Sequence, residues 1–201
     1  MTSNANDQLK KLFNSSKLSS KLVYFEKIKF DSESDAALIV KLRGRSKTNY
    51  LKVGSSSVSD QLKYLENYNS NFLKKKEIYY KIFDKNKNIH NGLVRITELN
   101  NKKKFNWESL VFAEDCTPMA PIDVMMCVYK IGFDFLDRDV CGPWAVDKKY
   151  NKMMKIHDFC KMYSHNRKND ESYHWIHVEK KDFYKEIDHF YSLGLGLINY
   201  E

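Results

Sequence analysis

Few side chains in this sequence combine a reactive type with a suggestive setting. Glu108 stands between Trp107 and Ser109 in the strand-like run FNWESLVFAE. A carboxylate there either points outward from a half-exposed strand or faces a cleft, where desolvation would raise its pKa. His157 sits six residues after Asn151 in a stretch of helical spacing. An imidazole exchanges its proton near neutral pH, although most lone histidines are simply packed or solvated. Arg43 and Arg95 carry guanidinium groups that either grip a phosphate through two hydrogen bonds or lie as surface charges. His174 and His177 are three apart on a strand-like run, so they point to opposite faces and suit no common metal. The four cysteines, Cys116, Cys127, Cys141 and Cys160, form no C-x-x-C pair. Zinc is therefore not expected, and reduced thiols are the simplest reading.

These residues need elements to hold them. The aromatic and β-branched run at 22–30 predicts a first strand. Asp31 to Asp35 then reads as a turn and helix cap, leading into a helix with Ala36, Leu38, Ile39 and Leu42 at helical spacing. A second helix is predicted from Asp60 to Leu73, capped by Ser57 or Ser59. Three strands follow, at Glu77–Asp84, His90–Leu99 and Phe105–Glu114, joined by polar turns that suit antiparallel hairpins. Pro121 fits the first turn of a helix that runs to Leu136. A strand at 140–146, a helix from Asn151, a strand at 173–178 and a helix at 182–193 complete the chain. This order predicts a mixed sheet with helices on its faces.

The chain has 201 residues and 42% hydrophobic content, enough for one sizeable core. No apolar run has membrane-spanning length, and the polar N-terminus lacks a signal-like stretch, so a cytoplasmic protein without a membrane partner is expected. Net charge is +8. That suits phosphate-rich small molecules or nucleic acid. The lysines are dispersed and no nucleic-acid-binding motif is present, so a nucleic-acid module is the weaker alternative and no such partner is expected.

Four stretches, taken with this order, carry a resemblance. They are Gly92-Leu93-Val94-Arg95-Ile96; Trp107-Glu108-Ser109-Leu110-Val111; the helix from Pro121 into Ile131-Gly132-Phe133-Asp134-Phe135-Leu136; and Val146 with Asn151-Lys152-Met153-Met154-Lys155-Ile156-His157. Over about residues 22–185 the chain resembles the GNAT acetyltransferases, in the branch similar to ribosomal-protein and amino-sugar N-acetyltransferases. The resemblance implies an α/β fold whose mixed, mostly antiparallel central sheet has about six to seven strands, with helices on both faces. It implies one domain over residues 21–201, preceded by a loosely ordered leader at 1–20.

The resemblance also implies chemistry. Acetyl-CoA would be the acyl donor and a small-molecule amine the acceptor, here a nucleotide-linked amino sugar. A protein N-terminal amine is the alternative. Glu108 would be the general base and His157 the acid that protonates the departing thiolate. Backbone groups of Leu110, Val111, Phe112 and Ala113 would pair with the pantetheine arm, provided that the fourth and fifth strands of the family's sheet splay. Thr117, Met119, Ala120 and Ile122 would hold the pyrophosphate, and Asn151 and Met154 would complete the coenzyme site. Arg43, Tyr50, Gln61 and Arg95 would line the acceptor side. One departure stands out: the pyrophosphate loop, Cys116-Thr117-Pro118-Met119-Ala120-Pro121, has no glycine, and its two prolines cannot donate an N–H.

Overall fold

The computed structural model describes residues 2–45, 57–147, 157, 165–169, 173–185 and 187–200. Its elements are α1 (Thr2–Asn14), β1 (Lys17–Ser19), β2 (Val23–Lys27), α2 (Glu33–Arg45), α3 (Val58–Leu73), β3 (Ile78–Asp84), β4 (His90–Thr97), β5 (Lys104–Phe112) and α4 (Ala120–Lys130). A π-helical turn (Ile131–Phe135) extends α4. Then come β6 (Val140–Asp147), β7 (His165–Asn169), β8 (Tyr173–Glu179), α5 (Lys180–Phe183), α6 (Ile187–Ser192) and β9 (Asn199–Tyr200).

Among the described residues nine strands form one sheet in the order β7-β8-β6-β5-β4-β3-β2-β1-β9. All neighbours are antiparallel except β5 and β6. The mixed α/β architecture is the expected one, with more strands than the six or seven foreseen. The additions are β7 and the very short β1 and β9, too brief or too polar to show as hydrophobic alternation. The expected last helix is broken into α5 and α6. The helix expected from Asn151 lies outside the described residues apart from His157.

Each face of the sheet carries its own core. On one face α1, α4, the π-helical turn and the C-terminal helices cover Phe25, Tyr80, Val94, Ile96, Phe105 and Trp107. On the other, α2 and α3 cover Tyr79, Leu93 and Val111 with Ala36, Ile39, Leu42, Leu65 and Tyr68. Ser57 caps α3 by accepting from the Asp60 N–H at 3.1 Å, which settles the two expected capping serines in favour of the first. Gly132 is required for the first layer. A Cβ at this position would lie 2.0 Å from a ring carbon of Phe105, so the bare backbone of the π-helical turn is what lets β5 approach.

The N-terminal twenty residues correct the expectation of a loose leader. Leu9, Leu12 and Phe13 are buried in the first core, and β1 pairs with β2. The helix ends on Lys27, whose ammonium donates to the carbonyls of Phe13 and Ser15. A cation at a helix C-terminus satisfies carbonyls that the helix cannot. Burial pushes the Lys27 pKa down to about 8. The apolar triplet was visible in the sequence; its polar neighbours obscured the fact that a narrow stripe suffices to dock a helix.

Candidate active site

Two consecutive residues open the sheet. The strands β5 and β6 pair only at Lys104–Val140 and Phe105–Cys141. Next on β6 come Gly142, at φ +99, and Pro143. The left-handed φ turns the chain, and proline has no N–H to offer a ladder. A side chain at Gly142 would also run into the Trp144 ring, 2.4 Å from the nearest carbon. The strands therefore part, and β6 continues against β8 alone. At the root of the opening Asn106 Nδ2 donates to the Pro143 carbonyl at 3.5 Å, and the Trp107 and Trp144 rings lie 5.1 Å apart. This is the splay that the family resemblance implied. Its cause, a Gly-Pro pair inside a strand, was in the sequence but had not been linked to it.

A bulge in β5 decides which groups face the opening. Ser109 takes φ 54, and the β4–β5 register slips between Leu93 and Arg95. Simple alternation would place Glu108 with Leu110, opposite Val111. Instead Leu110 and Phe112 join Trp107 on the first core, while Val111 and Ala113 pack with Leu93 on the α2/α3 face. Glu108 is on that second face, paired with Arg95. An extra residue in a strand reverses the faces beyond it, so the expected orientation holds for Glu108 and fails for its neighbours.

The same slip sorts the backbone. Ala113 donates its N–H to the Asn91 carbonyl at 2.8 Å, and its own carbonyl accepts from Cys116 at 3.2 Å. The Val111 carbonyl lies against Gly92 of β4. Alternation then turns Leu110 and Phe112 to the gap. Of the four residues expected to pair with the pantetheine amides, these two have the right direction. Val111 and Ala113 are committed to β4 and the following turn.

Beyond β5 the chain reaches the N-terminus of α4. The Ala120 N–H bonds to the Thr117 carbonyl at 2.9 Å and that of Asp123 to Met119 at 3.1 Å. The Thr117 hydroxyl donates to Asp84, which pulls the Asp84 carboxyl below its usual range, with help from the Lys87 and Asn86 N–H groups. The expected roles of the Ala120 N–H and the Thr117 hydroxyl are therefore taken. Among the described residues, the N–H groups of Thr117, Met119 and Ile122 have no partner within the chain. Three open donors at a helix N-terminus suit an anion even without glycine.

The helix is fixed there by a residue that the sequence reading did not single out. Asp123 is fully buried and its carboxylate accepts from Ser20 Oγ at 2.5 Å, Leu22 N at 3.0 Å and Gly196 N at 2.7 Å. It ties α4 to the β1–β2 turn and to the C-terminal segment.

On the α2/α3 face a polar cluster surrounds Glu108. Arg95 of β4 reaches the Glu108 carboxylate, the Tyr64 hydroxyl and, at 3.4 Å, Glu77. Arg43 of α2 acts electrostatically on Tyr64 and Tyr79. The buried Tyr79 hydroxyl lies near Ser109 without a well-formed hydrogen bond, and burial pushes its pKa up to about 12. Gln61 is buried in α3 with its amide nitrogen unpartnered. Arg43 lies in α2, Gln61 in α3 and Arg95 in β4. Tyr50, Asn151 and Met154 lie outside the described residues. Glu108 differs from expectation in one respect: its side chain is 44% exposed and ion-paired, so it is not held in an apolar pocket. Tyr64 and Glu77 were missed, because neither has a spacing that marks it.

His157 lies on the opposite face, fully buried. Its Nε2 and the Tyr129 hydroxyl are 2.5 Å apart, and its ring lies 5.9 Å from that of Trp144.

No protein-family model matches the sequence, and no curated protein sequence is significantly similar to it. Solved structures are. FdhC, described as a nucleotide-linked sugar GNAT, is 25% identical, with a TM-score of 0.74 over 90% of this chain and 98% of that one. The chain has the fold of the GNAT N-acetyltransferases, and the likeness to FdhC runs through nearly the whole of both chains. The spermidine N-acetyltransferase SpeG of Vibrio cholerae (12% identity, TM-score 0.61, 82% and 97% covered) and the N-acetyltransferase PseH of Campylobacter jejuni (15%, 0.59, 79% and 99%) share the fold. A further PseH structure holds acetyl coenzyme A. No described helix is long and apolar enough to cross a membrane.

Proposed function

We propose that this protein transfers an acetyl group from acetyl-CoA to the amine of a nucleotide-linked amino sugar. The observation that carries the reading is the parting of β5 from β6 directly beside Glu108. The strand that forms one side of the opening, β5, leads on to the start of α4, where free N–H groups suit an anion. Leu110 and Phe112 would hold the pantetheine amides by strand addition. Thr117, Met119 and Ile122 would face the pyrophosphate. The donor supplies an activated carbonyl. The amine nitrogen becomes positively charged as it bonds to that carbonyl, so an ordinary ionised carboxylate can take its proton, directly or through a water. Glu108 is in place for that step. Likeness to FdhC supports the sugar acceptor, as does a +8 chain for an anionic substrate.

The test has two arms. Acetyl-CoA is expected to raise the melting temperature, by mass action. Free thiol release is then followed with nucleoside diphosphate-linked amino sugars, spermidine and a peptide with a free N-terminus. Turnover confined to the first acceptor supports the reading; turnover of spermidine or peptide replaces it, and an unchanged melting temperature at millimolar acetyl-CoA removes the donor.

His157 is assigned in this reading to the departing thiolate, with the Tyr129 hydroxyl fixing the ring. A thiolate is already a fair leaving group, with a pKa of about 8.5 for a free cysteine thiol. The loss on His157→Ala should therefore be modest, about tenfold in kcat, below the usual span of acid catalysis. Acetyl-CoA affinity should hold. A lower melting temperature with wild-type turnover makes His157 a packing residue.

A further inference from the structure

We propose that Arg95 is a positioning residue: it holds the Glu108 carboxylate at the opening between β5 and β6 and does not itself bind the acceptor's anionic group. The inference rests on the reading of Glu108 as proton acceptor. It replaces the phosphate-binding role that the sequence suggested for Arg95.

Both terminal nitrogens of the guanidinium are engaged, while Nε is buried without a hydrogen-bond partner among the described residues. One terminal nitrogen reaches the Tyr64 hydroxyl and lies 3.4 Å from Glu77; the other bonds to Glu108. The Tyr64 ring lies 5.9 Å from its centre. The side chain is 17% exposed, against 44% for Glu108. Glu77 is in turn held by Asn71 of α3, whose amide donates at 2.9 Å. A chain of contacts thus runs from α3 through Glu77 and Arg95 to the carboxylate on β5. A phosphate at Arg95 would have to displace Glu108 or approach Glu77, and both carry negative charge. Two carboxylates on one buried guanidinium leave it little attraction for a third anion.

Glu108 has no comparable support of its own. Thr97 Oγ1, at 3.5 Å, is its other hydrogen-bond neighbour. A half-exposed glutamate on a strand samples several rotamers, and a reacting group that wanders loses rate steeply. The planar fork of Arg95 removes that freedom. The guanidinium also stays charged: burial opposes this, but Tyr64, Glu108 and Glu77 outweigh it. The charged and titratable groups around Glu108 are Arg95 of β4, Tyr64 of α3, Glu77 ahead of β3 and, through Tyr64, Arg43 of α2. Removing Arg95 leaves Glu108 with Glu77 as its nearest strong charge.

The experiment compares Arg95→Lys, Arg95→Leu, Glu108→Gln and the double variant Arg95→Leu/Glu108→Gln, with a nucleoside diphosphate-linked amino sugar as acceptor. Melting temperature and acetyl-CoA binding serve as controls. Arg95→Lys is expected to lower kcat about tenfold, since the charge stays and the fork is lost. Arg95→Leu should lose about 10²-fold in kcat, since both the charge and the fork are gone. The double variant should be no worse than Glu108→Gln within about threefold, because residues that act as a unit are not additive. Acceptor KM should stay within about threefold throughout. A KM raised tenfold or more at unchanged kcat makes Arg95 an anion ligand and overturns the proposal. So do additive losses, and so does an Arg95→Lys variant with wild-type kcat. If Glu108→Gln alone keeps its turnover, the fault lies instead with the proton-acceptor reading, and that result needs no Arg95 variant. Should Arg95→Leu fail to fold, Arg95→Lys decides alone.

Discussion

Glu108→Gln is expected to lower kcat by about 10²-fold or more while acetyl-CoA binding survives. The amide keeps the shape of the carboxylate and can still accept from Arg95, so the polar cluster should stay assembled. What it cannot do is take a proton from the nitrogen as the carbon–nitrogen bond forms. Because Glu108 is half exposed and on the α2/α3 face, it contributes nothing to the first core, and the melting temperature should move little. The deficit should narrow as pH rises, since hydroxide can then take that proton in place of the carboxylate. Steady-state rates between neutral and alkaline pH, with acetyl-CoA affinity measured separately, make the comparison. Near-wild-type turnover at neutral pH would hand the proton to water or another residue. Collapse of the fold would mean that the carboxylate braces Arg95 for structural reasons alone.

Asp123→Ala is expected to give the largest loss of stability of any single change at the site. The carboxylate has no exposed surface and accepts three hydrogen bonds, two of them from the backbone N–H groups of Leu22 and Gly196. Alanine leaves both donors buried without partners, at about 1–3 kcal/mol each. A loss of about 3 kcal/mol lowers the melting temperature by about 6–12 °C in a chain of this size. The helix that begins here has acidic Asp123 in its first turn, so a favourable interaction with the helix dipole goes too. Asp123→Asn should lose roughly half as much, because one oxygen still accepts while the new NH₂ faces a donor. Thermal unfolding of the three proteins checks the order. If Asp123→Ala melts with wild type, the three bonds do not hold α4 in place, and the site's rigidity must come from the apolar packing of α4 alone.

The sequence determined the class of fold and the identity of most elements. Strand-like runs at Glu77–Asp84 and His90–Leu99 placed β3 and β4 to within two residues, helical spacing placed α2 and α3, and Pro121 marked the start of α4 to within a residue. These signals are local, set by which side of a strand or helix must be apolar. The sequence also holds the Gly142-Pro143 pair that stops the β5–β6 ladder and the Leu9, Leu12, Phe13 stripe that docks α1. Tertiary structure decided the rest. The slip at Ser109 exchanged the faces of Leu110 and Val111, and with them the backbone groups turned to the opening. No local rule locates such a slip, because it depends on how β4 and β5 align across an intervening turn. The pairing of Arg95 with Glu77, Tyr64 and Glu108 joins residues up to 44 positions apart. The ligation of Asp123 by Ser20 and Gly196 spans still more of the chain. A charged side chain shows its type in a sequence. Whether it meets substrate, a counter-ion or a buried N–H is settled only by what the fold brings beside it.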